Sequence, residues 1–142
     1  MANEKQFKKW IKSKAPKGSL VAFIETMTGI GVPDMYTCFK GQNKWIEVKD
    51  LSTSTTMIKL RATQYMWLKN LFHSGGDGGL LIKHKDTIDF YDIYYMNEID
   101  ESDIKKSGKD YILTGLMDPS LSIKRNSSKA DIDKYVYDLL IY

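Results

Sequence analysis

The sequence predicts an α/β fold in which helices flank a mixed central sheet. Two stretches with helical spacing of apolar residues alternate with short runs of strand character, and turn residues separate them. The predicted order is α-β-β-β-α-β-β, followed by a less regular tail. With 142 residues and 42% hydrophobic content, the chain is long enough for a single domain over 1–142. Its core is expected over about 4–95, and an extension over about 96–142.

Most of the predicted elements lie in the first hundred residues. A first helix is predicted over 4–14 from its apolar stripe, with Asn3 as the N-cap. A second helix is predicted over about 60–73, and the glycine-rich run that follows ends it. A turn at 41–43 is expected to join the second and third strands. The predicted strands span residues 19–27, 35–39, 44–49, 79–84 and 87–95.

The tail carries two further predicted elements. Residues 111–116 have strand character, and Ser128 with Asp131 resembles a capping box that opens a final helix. The apolar stripe of that helix comprises Ile132, Tyr135, Val136 and Leu139. We expect the stripe to pack on the core. A homodimer interface that also includes Tyr142 is the alternative, because aromatic residues are enriched at interfaces.

Composition narrows the class of protein. No apolar run approaches the roughly 20 residues that a membrane helix needs. The basic N-terminal segment has no uninterrupted apolar core, so it does not predict a secretory signal. The single Cys38 excludes an internal disulfide and a cysteine-rich zinc site. The expected location is the cytoplasm, which for a virus-encoded protein would be that of the host cell.

Charge is distributed unevenly along the chain. Residues 1–85 hold 14 Lys and Arg against 6 Asp and Glu, a net charge of +8. Residues 86–142 hold 7 against 12, a net charge of −5. The basic part is what a polyanionic partner such as nucleic acid would attract, although a charged face is more often only solvated.

Two short motifs indicate chemistry. Pro33-Asp34 precedes one predicted strand, and Glu47-Val48-Lys49 ends the next, with Glu47 thirteen residues after Asp34. If the two strands pair through their turn, Asp34 lies opposite Glu47 or within about two positions of it. Glu47 and Lys49 share one strand face, because side chains alternate. Two carboxylates and a lysine would then converge, and carboxylate oxygens suit a hard cation such as Mg²⁺.

This ordered set of residues resembles the PD-(D/E)XK nuclease superfamily. The matching segments are Gly31-Val32-Pro33-Asp34, Ile46-Glu47-Val48-Lys49, and Gln64 with Trp67-Leu68. The closer likeness is to the virus-type replication-repair (VRR-NUC) nucleases and their Holliday-junction-resolvase-like relatives. The resemblance covers roughly residues 4–85. It implies a restriction-endonuclease-like fold.

The resemblance also implies roles for individual residues. Asp34, Glu47 and the backbone carbonyl of Val48 would bind Mg²⁺, for which Mn²⁺ would substitute. Lys49 would position the attacking water, and Gln64 would support it. A structural hydrogen bond to nearby backbone is the alternative for Gln64, which interrupts the apolar stripe of its helix.

Six further residues are candidates for metal binding or nucleic-acid contact. The resemblance implies that Glu4 is an accessory metal ligand; the alternative is a first-turn acid favoured by the helix dipole. Glu25 competes with Glu4 for such a role and would otherwise hold a basic side chain. For nucleic-acid contact the candidates are Lys59 and Arg61, at the expected helix start, and Ser52 and Thr53 in the preceding polar loop.

The expected function is divalent-metal-dependent hydrolysis of DNA phosphodiesters by a structure-selective endonuclease. Resolvase-like cutting of a Holliday junction, or a repair or replication role, would fit the resemblance. The alternative from another class is a catalytically silent nucleic-acid-binding module on the same fold. Within the enzyme class, a flap, a nick, a single strand or RNA is an alternative substrate. A resolvase would act as a homodimer, because it cuts two symmetrically placed strands.

Overall fold

The structure, a computed structural model, describes residues 4–24, 31–52, 57–114 and 118–142. The expectations for Asn3, Glu25 and Thr53 therefore lie outside the described residues. The helices are α1 Glu4–Lys14, α2 Ala62–His73, α3 Ile93–Asn97 and α4 Lys129–Ile141. The strands are β1 Leu20–Phe23, β2 Met35–Phe39, β3 Gln42–Asp50, β4 Ile58–Arg61, β5 Gly78–Lys83, β6 Thr87–Asp92, β7 Ile104–Ser107, β8 Asp110–Leu113 and β9 Leu121–Lys124.

The central sheet has six strands in the order β1-β2-β3-β5-β6-β9. Strands β3 and β5 run parallel, and every other neighbouring pair is antiparallel, so the predicted mixed sheet is confirmed. The parallel pair is joined through a crossover that contains β4 and α2, as parallel neighbours require. Strand β9, from the predicted extension, is part of this sheet.

A two-residue turn joins β2 to β3. Phe39 pairs directly with Gln42, and the two residues between them, Lys40 and Gly41, have φ angles of 49° and 78°. Two positive φ values are typical of a tight hairpin turn whose twist matches that of its strands. The turn predicted at 41–43 is thus placed slightly too late, because β3 begins at Gln42 instead of residue 44.

Helices cover both faces of the central sheet. On one face, α1 and α4 pack against β3 through residues that include Phe7, Val136, Ile46 and Val48, all of them fully buried. On the other face, α2, α3 and β4 form a second apolar cluster with β5 and β6. In the described part of the chain, no helix is long and apolar enough to cross a membrane.

The apolar stripe of α4 packs inside its own chain. Ile132, Tyr135, Val136 and Leu139 are at most 8% exposed, as expected of a core helix. Ser128 caps the helix as predicted, since its side chain accepts a hydrogen bond from the Asp131 backbone N–H. The alternative interpretation of these four residues as a dimer interface is wrong, because their side chains are already covered; Tyr142 is exposed, and its part in an interface stays a prediction.

A second, three-stranded sheet was not predicted. It has the order β4-β8-β7. Strand β8 overlaps the strand predicted over 111–116, whereas β4 lies where a polar loop and the start of a helix were expected. Within β4, buried Ile58 and Leu60 alternate with exposed Lys59 and Arg61, which is the period of a strand. Placing Lys59 at a helix start was therefore wrong, whereas Arg61 ends β4 and is also the N-cap of α2. The strand predicted over 87–95 also ends early, because α3 begins at residue 93.

Candidate active site

Strand register brings Asp34 next to Glu47. Met35, the first residue of β2, pairs with Ile46, so Asp34 just before β2 lies opposite Glu47 on β3. The Asp34 carboxylate accepts a hydrogen bond from the Val48 backbone N–H at 3.1 Å. The backbone carbonyl of Asp34 accepts one from the Ile24 N–H at 2.8 Å. Asp34 is therefore held between β3 and the residue that follows β1, at the position that the motif spacing predicts.

Gly31 fixes the loop that carries Asp34. Its φ angle is +83°, and a Cβ atom added there would lie 2.3 Å from the backbone carbonyl carbon and oxygen of Thr63 and 2.7 Å from Gln64 N. Only a residue without a side chain fits this approach. The close contact packs the Asp34 loop against the first turn of α2.

Glu47 is buried without a hydrogen-bond donor. Its side chain is 1% exposed, and neither carboxylate oxygen has a hydrogen-bond partner among the described residues. The pKa of Glu47 is raised to about 10, chiefly by burial and then by a hydrogen bond that the protonated carboxyl group shares with Asp34; the negative charges of Asp34 and Glu4 also raise this pKa, and Lys49 partly offsets them. A buried carboxyl group in this position needs either a proton or a cation.

Lys49 and Trp45 share the face of Glu47. Trp45 contacts Trp67 of α2, with ring centroids 5.3 Å apart, so this face of β3 is turned towards α2. Ile46 and Val48 are buried in the opposite cluster. The predicted division of β3 into two faces is confirmed, and Lys49 is half-buried on the side of the carboxylates.

The donor set fits a divalent cation bound by few protein groups. The described residues contain no cluster of three or more His, Cys, Asp or Glu side chains that could hold a metal by themselves. Asp34 and the unpartnered Glu47 oxygens supply two carboxylates, which suits an ion such as Mg²⁺ that keeps several waters. Glu4 is near enough for its charge to act on Glu47. Its predicted role as a ligand, like that of the Val48 carbonyl, stays a prediction.

Gln64 makes the structural contact that was its alternative interpretation. Its side-chain oxygen accepts a hydrogen bond from the Arg61 backbone N–H at 2.9 Å, which closes the first turn of α2. Because Gly31 touches the Thr63–Gln64 backbone, this turn is nevertheless adjacent to the Asp34 loop. The structure thus shows Gln64 supporting the helix start beside the site.

Comparisons with known proteins agree with this architecture. The 1.6 Å structure of Archaeoglobus fulgidus Hjc, a Holliday junction resolvase from an archaeal hyperthermophile, superposes with a TM-score of 0.50. The match covers 78% of this chain and 84% of Hjc. The chain has the restriction-endonuclease-like fold. Sequence identity is 13%, so the likeness concerns the fold alone. No family model matches the chain, and no curated protein matches it.

Ser52 closes the end of β3. Both its backbone N–H and its hydroxyl donate to one oxygen of Asp50, at 2.9 and 2.5 Å. The hydroxyl is engaged there, and contact of Ser52 with nucleic acid stays a prediction.

On the separate β4 strand, Lys59 has a side chain that is 63% exposed, with its amine 3.4 Å from Asp110.

A buried ion pair beside the site was not predicted. Lys83 is fully buried and lies 3.4 Å from Asp50, the residue after Lys49. Burial alone would raise the pKa of Asp50, but hydrogen bonds from Ser52 and the charge of Lys83 lower it. The parallel register of β3 and β5 brings Asp50 and Lys83 together, and no local pattern in this sequence indicates that register.

Proposed function

We propose that the chain is a divalent-metal-dependent endonuclease that hydrolyses DNA phosphodiesters. The buried Glu47 carboxylate carries the proposal, because it has no donor among the described residues and faces Asp34 and Lys49. A purely structural glutamate at 1% exposure would be expected to have a donor. The motif order, resembling that of the virus-type replication-repair nucleases, and the restriction-endonuclease-like fold support the same conclusion.

Each residue of the candidate active site has a separate role in the proposed reaction. Asp34 and Glu47 would hold Mg²⁺, or Mn²⁺ in its place, with the carbonyl of Val48. When bound, the ion supplies a lowered pKa for an attacking water and neutralises charge on the phosphate. Lys49 orients that water with its amine and offsets negative charge as the phosphate is attacked. The neighbouring helix start, closed by Gln64, keeps the Asp34 loop in place.

The proposed substrate is branched DNA, as in a Holliday junction. A solved structure with the same fold is that of a Holliday junction resolvase, and this supports the choice. Lysine and arginine contacts to phosphate position a protein without reading sequence, which suits recognition of DNA shape. A two-fold homodimer would place two sites symmetrically about a branch.

Two other functions remain distinguishable by experiment. A binding module without catalysis would keep its DNA affinity when the carboxylates are removed. A flap, nick or single-strand nuclease would need the same carboxylates but would cut a four-way junction poorly. The buried, unpartnered Glu47 favours catalysis over the binding module. Burying a carboxyl group without a partner lowers stability, and DNA binding alone does not require such a group.

A panel of DNA substrates tests the proposal. Purified protein is incubated with Mg²⁺ and with four-way, flap, nicked, single-stranded and duplex DNA, and the products are resolved on denaturing gels. We expect cleavage that EDTA, Asp34→Ala and Glu47→Ala each abolish, because the carboxylates act as a unit. Glu98→Ala, at an exposed carboxylate in another part of the chain, is the matched control and should cut normally. Cleavage by the Asp34/Glu47 double variant, or in excess EDTA, would refute the nuclease assignment.

A further inference from the structure

The outer face of the small sheet is formed by residues distant in sequence. Lys59 on β4 pairs with Ile112 on β8, which pairs in turn with Lys105 on β7. Directly paired residues point to the same side of a sheet, so the two lysines share one face. Arg61 belongs to the next outward row, paired with Asp110. This outer face lies opposite the side that packs on the second apolar cluster.

The outer face is basic. Lys59, Arg61 and Lys105 are exposed on it, and the exposed Lys109 follows in the β7–β8 turn at its edge. Asp110 is the one acidic residue in its paired positions and lies 3.4 Å from the Lys59 amine. Four cations against one carboxylate give a local net charge of +3. Residues 86–142, with an overall net charge of −5, thus contribute two of the four cations, Lys105 and Lys109.

The outer face adjoins the candidate active site. Helix α2 begins directly after Arg61, and its first turn contacts Gly31, which leads into the Asp34 loop. The β7–β8 turn is fastened to the same point, because the Lys109 carbonyl accepts a hydrogen bond from Ala62 N–H at 2.7 Å. The basic face therefore begins beside the site and extends away from it along β4.

We propose that this outer face binds the phosphate backbone of a double-stranded DNA arm next to the cleavage site, with Lys105 as a contact. The inference rests on the proposed function. Two strand spacings separate Lys59 from Lys105, roughly 9.5 Å. Each strand of duplex DNA presents a phosphate about every 3.4 Å along the axis, so the face spans roughly three phosphates. Contacts of this kind position an arm without reading its sequence.

Lys105 and Lys106 form a matched pair for the test. They are consecutive, both exposed, and each substitution by alanine removes one positive charge. Lys106 points to the opposite side of the sheet, where its amine lies 5.4 Å from the centroid of the Tyr111 ring. An effect of net charge alone would therefore be equal in the two variants, whereas a contact on the outer face would appear only in Lys105→Ala.

The measurement is the salt dependence of binding. Fluorescence anisotropy with a labelled duplex and a four-way junction is recorded in EDTA between 50 and 200 mM salt. For Lys105→Ala we expect the slope of log K against log salt to fall by about 0.9, one phosphate contact. Between 50 and 200 mM salt, the factor by which affinity falls would be about threefold smaller for the variant than for wild type. Lys106→Ala should keep the wild-type slope. Lys105→Gln keeps most of the length of the side chain without its charge and should repeat the effect, which separates loss of the charge from loss of side-chain bulk.

The outcomes separate this inference from the proposed function. Equal slopes for Lys105→Ala and Lys106→Ala, with wild-type binding and cleavage intact, overturn the role of the outer face alone. A lower slope for Lys105→Ala in a protein that does not cut DNA in Mg²⁺ supports the outer face and overturns the nuclease. Absence of DNA binding by the wild-type protein overturns both.

Discussion

Replacing Glu47 by glutamine should stabilise the metal-free protein. The substitution keeps the size and shape of the side chain but removes its ability to ionise. In the native state, burial and the neighbouring carboxyl groups raise the pKa of Glu47 to about 10 from an ordinary value of 4.5. Folding at neutral pH therefore requires this carboxylate to take up a proton, which the glutamine variant avoids.

The magnitude follows from the two pKa values. At pH 7 the unfolded chain is ionised at Glu47, and the folded chain is protonated there. Each pH unit above 4.5 costs the folded state about 1.4 kcal/mol, so the cost at pH 7 is about 3 kcal/mol. The raised pKa leaves full stability below pH 4.5, and this stability is lost as the pH rises towards 10. The neutral acid and the amide face the same surroundings, so their other burial costs largely cancel.

Denaturant unfolding measures this difference. Unfolding is followed by the fluorescence of the three tryptophans in EDTA at pH 5, 7 and 9. We expect Glu47→Gln to gain about 3 kcal/mol over wild type at pH 7, more at pH 9, and little at pH 5. Glu98→Gln, at an exposed position, is the control and should follow wild type. Mg²⁺ at one hundred times its dissociation constant should stabilise wild type by about 2.7 kcal/mol and the glutamine variant by less.

Two results would refute the reasoning. Parallel pH profiles for wild type and Glu47→Gln would show that this carboxyl group titrates alike in the folded and unfolded chains. Stabilisation of both proteins by Mg²⁺ to the same extent would show that the ion binds elsewhere. Either result would remove the observation on which the proposed metal site depends.

Three further predictions concern catalysis, the loop and assembly. Lys49→Ala should lower single-turnover cleavage at least about 100-fold while DNA affinity in EDTA survives; full activity would exclude its role with the water. Gly31→Ala should lower stability in thermal unfolding by at least about 2 kcal/mol more than Gly18→Ala, which shares the positive φ but meets open space. Equal losses would mean that the loop contact does not matter. Sedimentation with a four-way junction should show a dimer; a monomer at tens of micromolar would favour a flap, nick or single-strand nuclease.

The hairpin that positions the site could be predicted from sequence because its information is local. Two short strands of period two and a glycine-containing turn determine which residues face each other. The predicted pairing of Asp34 with Glu47 needed only the count of residues between them, and the structure confirms it. The first helix was predicted over its observed range for a similar reason, since one apolar stripe marks it.

The small sheet could not be predicted because its information is not local. Strand β4 has four residues, and its partner β8 begins at Asp110, some fifty residues later. Lys59 and Lys105 become neighbours on one face only through that pairing. The same holds for Asp50 and Lys83, which meet through a parallel register. In each case the sequence shows the net charge of a segment, whereas the strand register decides which charged residues lie next to each other.

The burial that makes Glu47 costly is produced by the packing of the fold. Its neighbour across the parallel pair is Leu80, which is fully buried in the cluster that α2 covers. That packing keeps water from the carboxylate, and the Gly31 contact holds the helix and the Asp34 loop together. A cation bound there would offset the unfavourable burial and would meet phosphate in a setting of reduced solvent screening. Burial of Glu47 lowers the stability of the metal-free protein, and binding of a cation would relieve this destabilisation. The Glu47→Gln variant should therefore be both more stable than wild type and inactive.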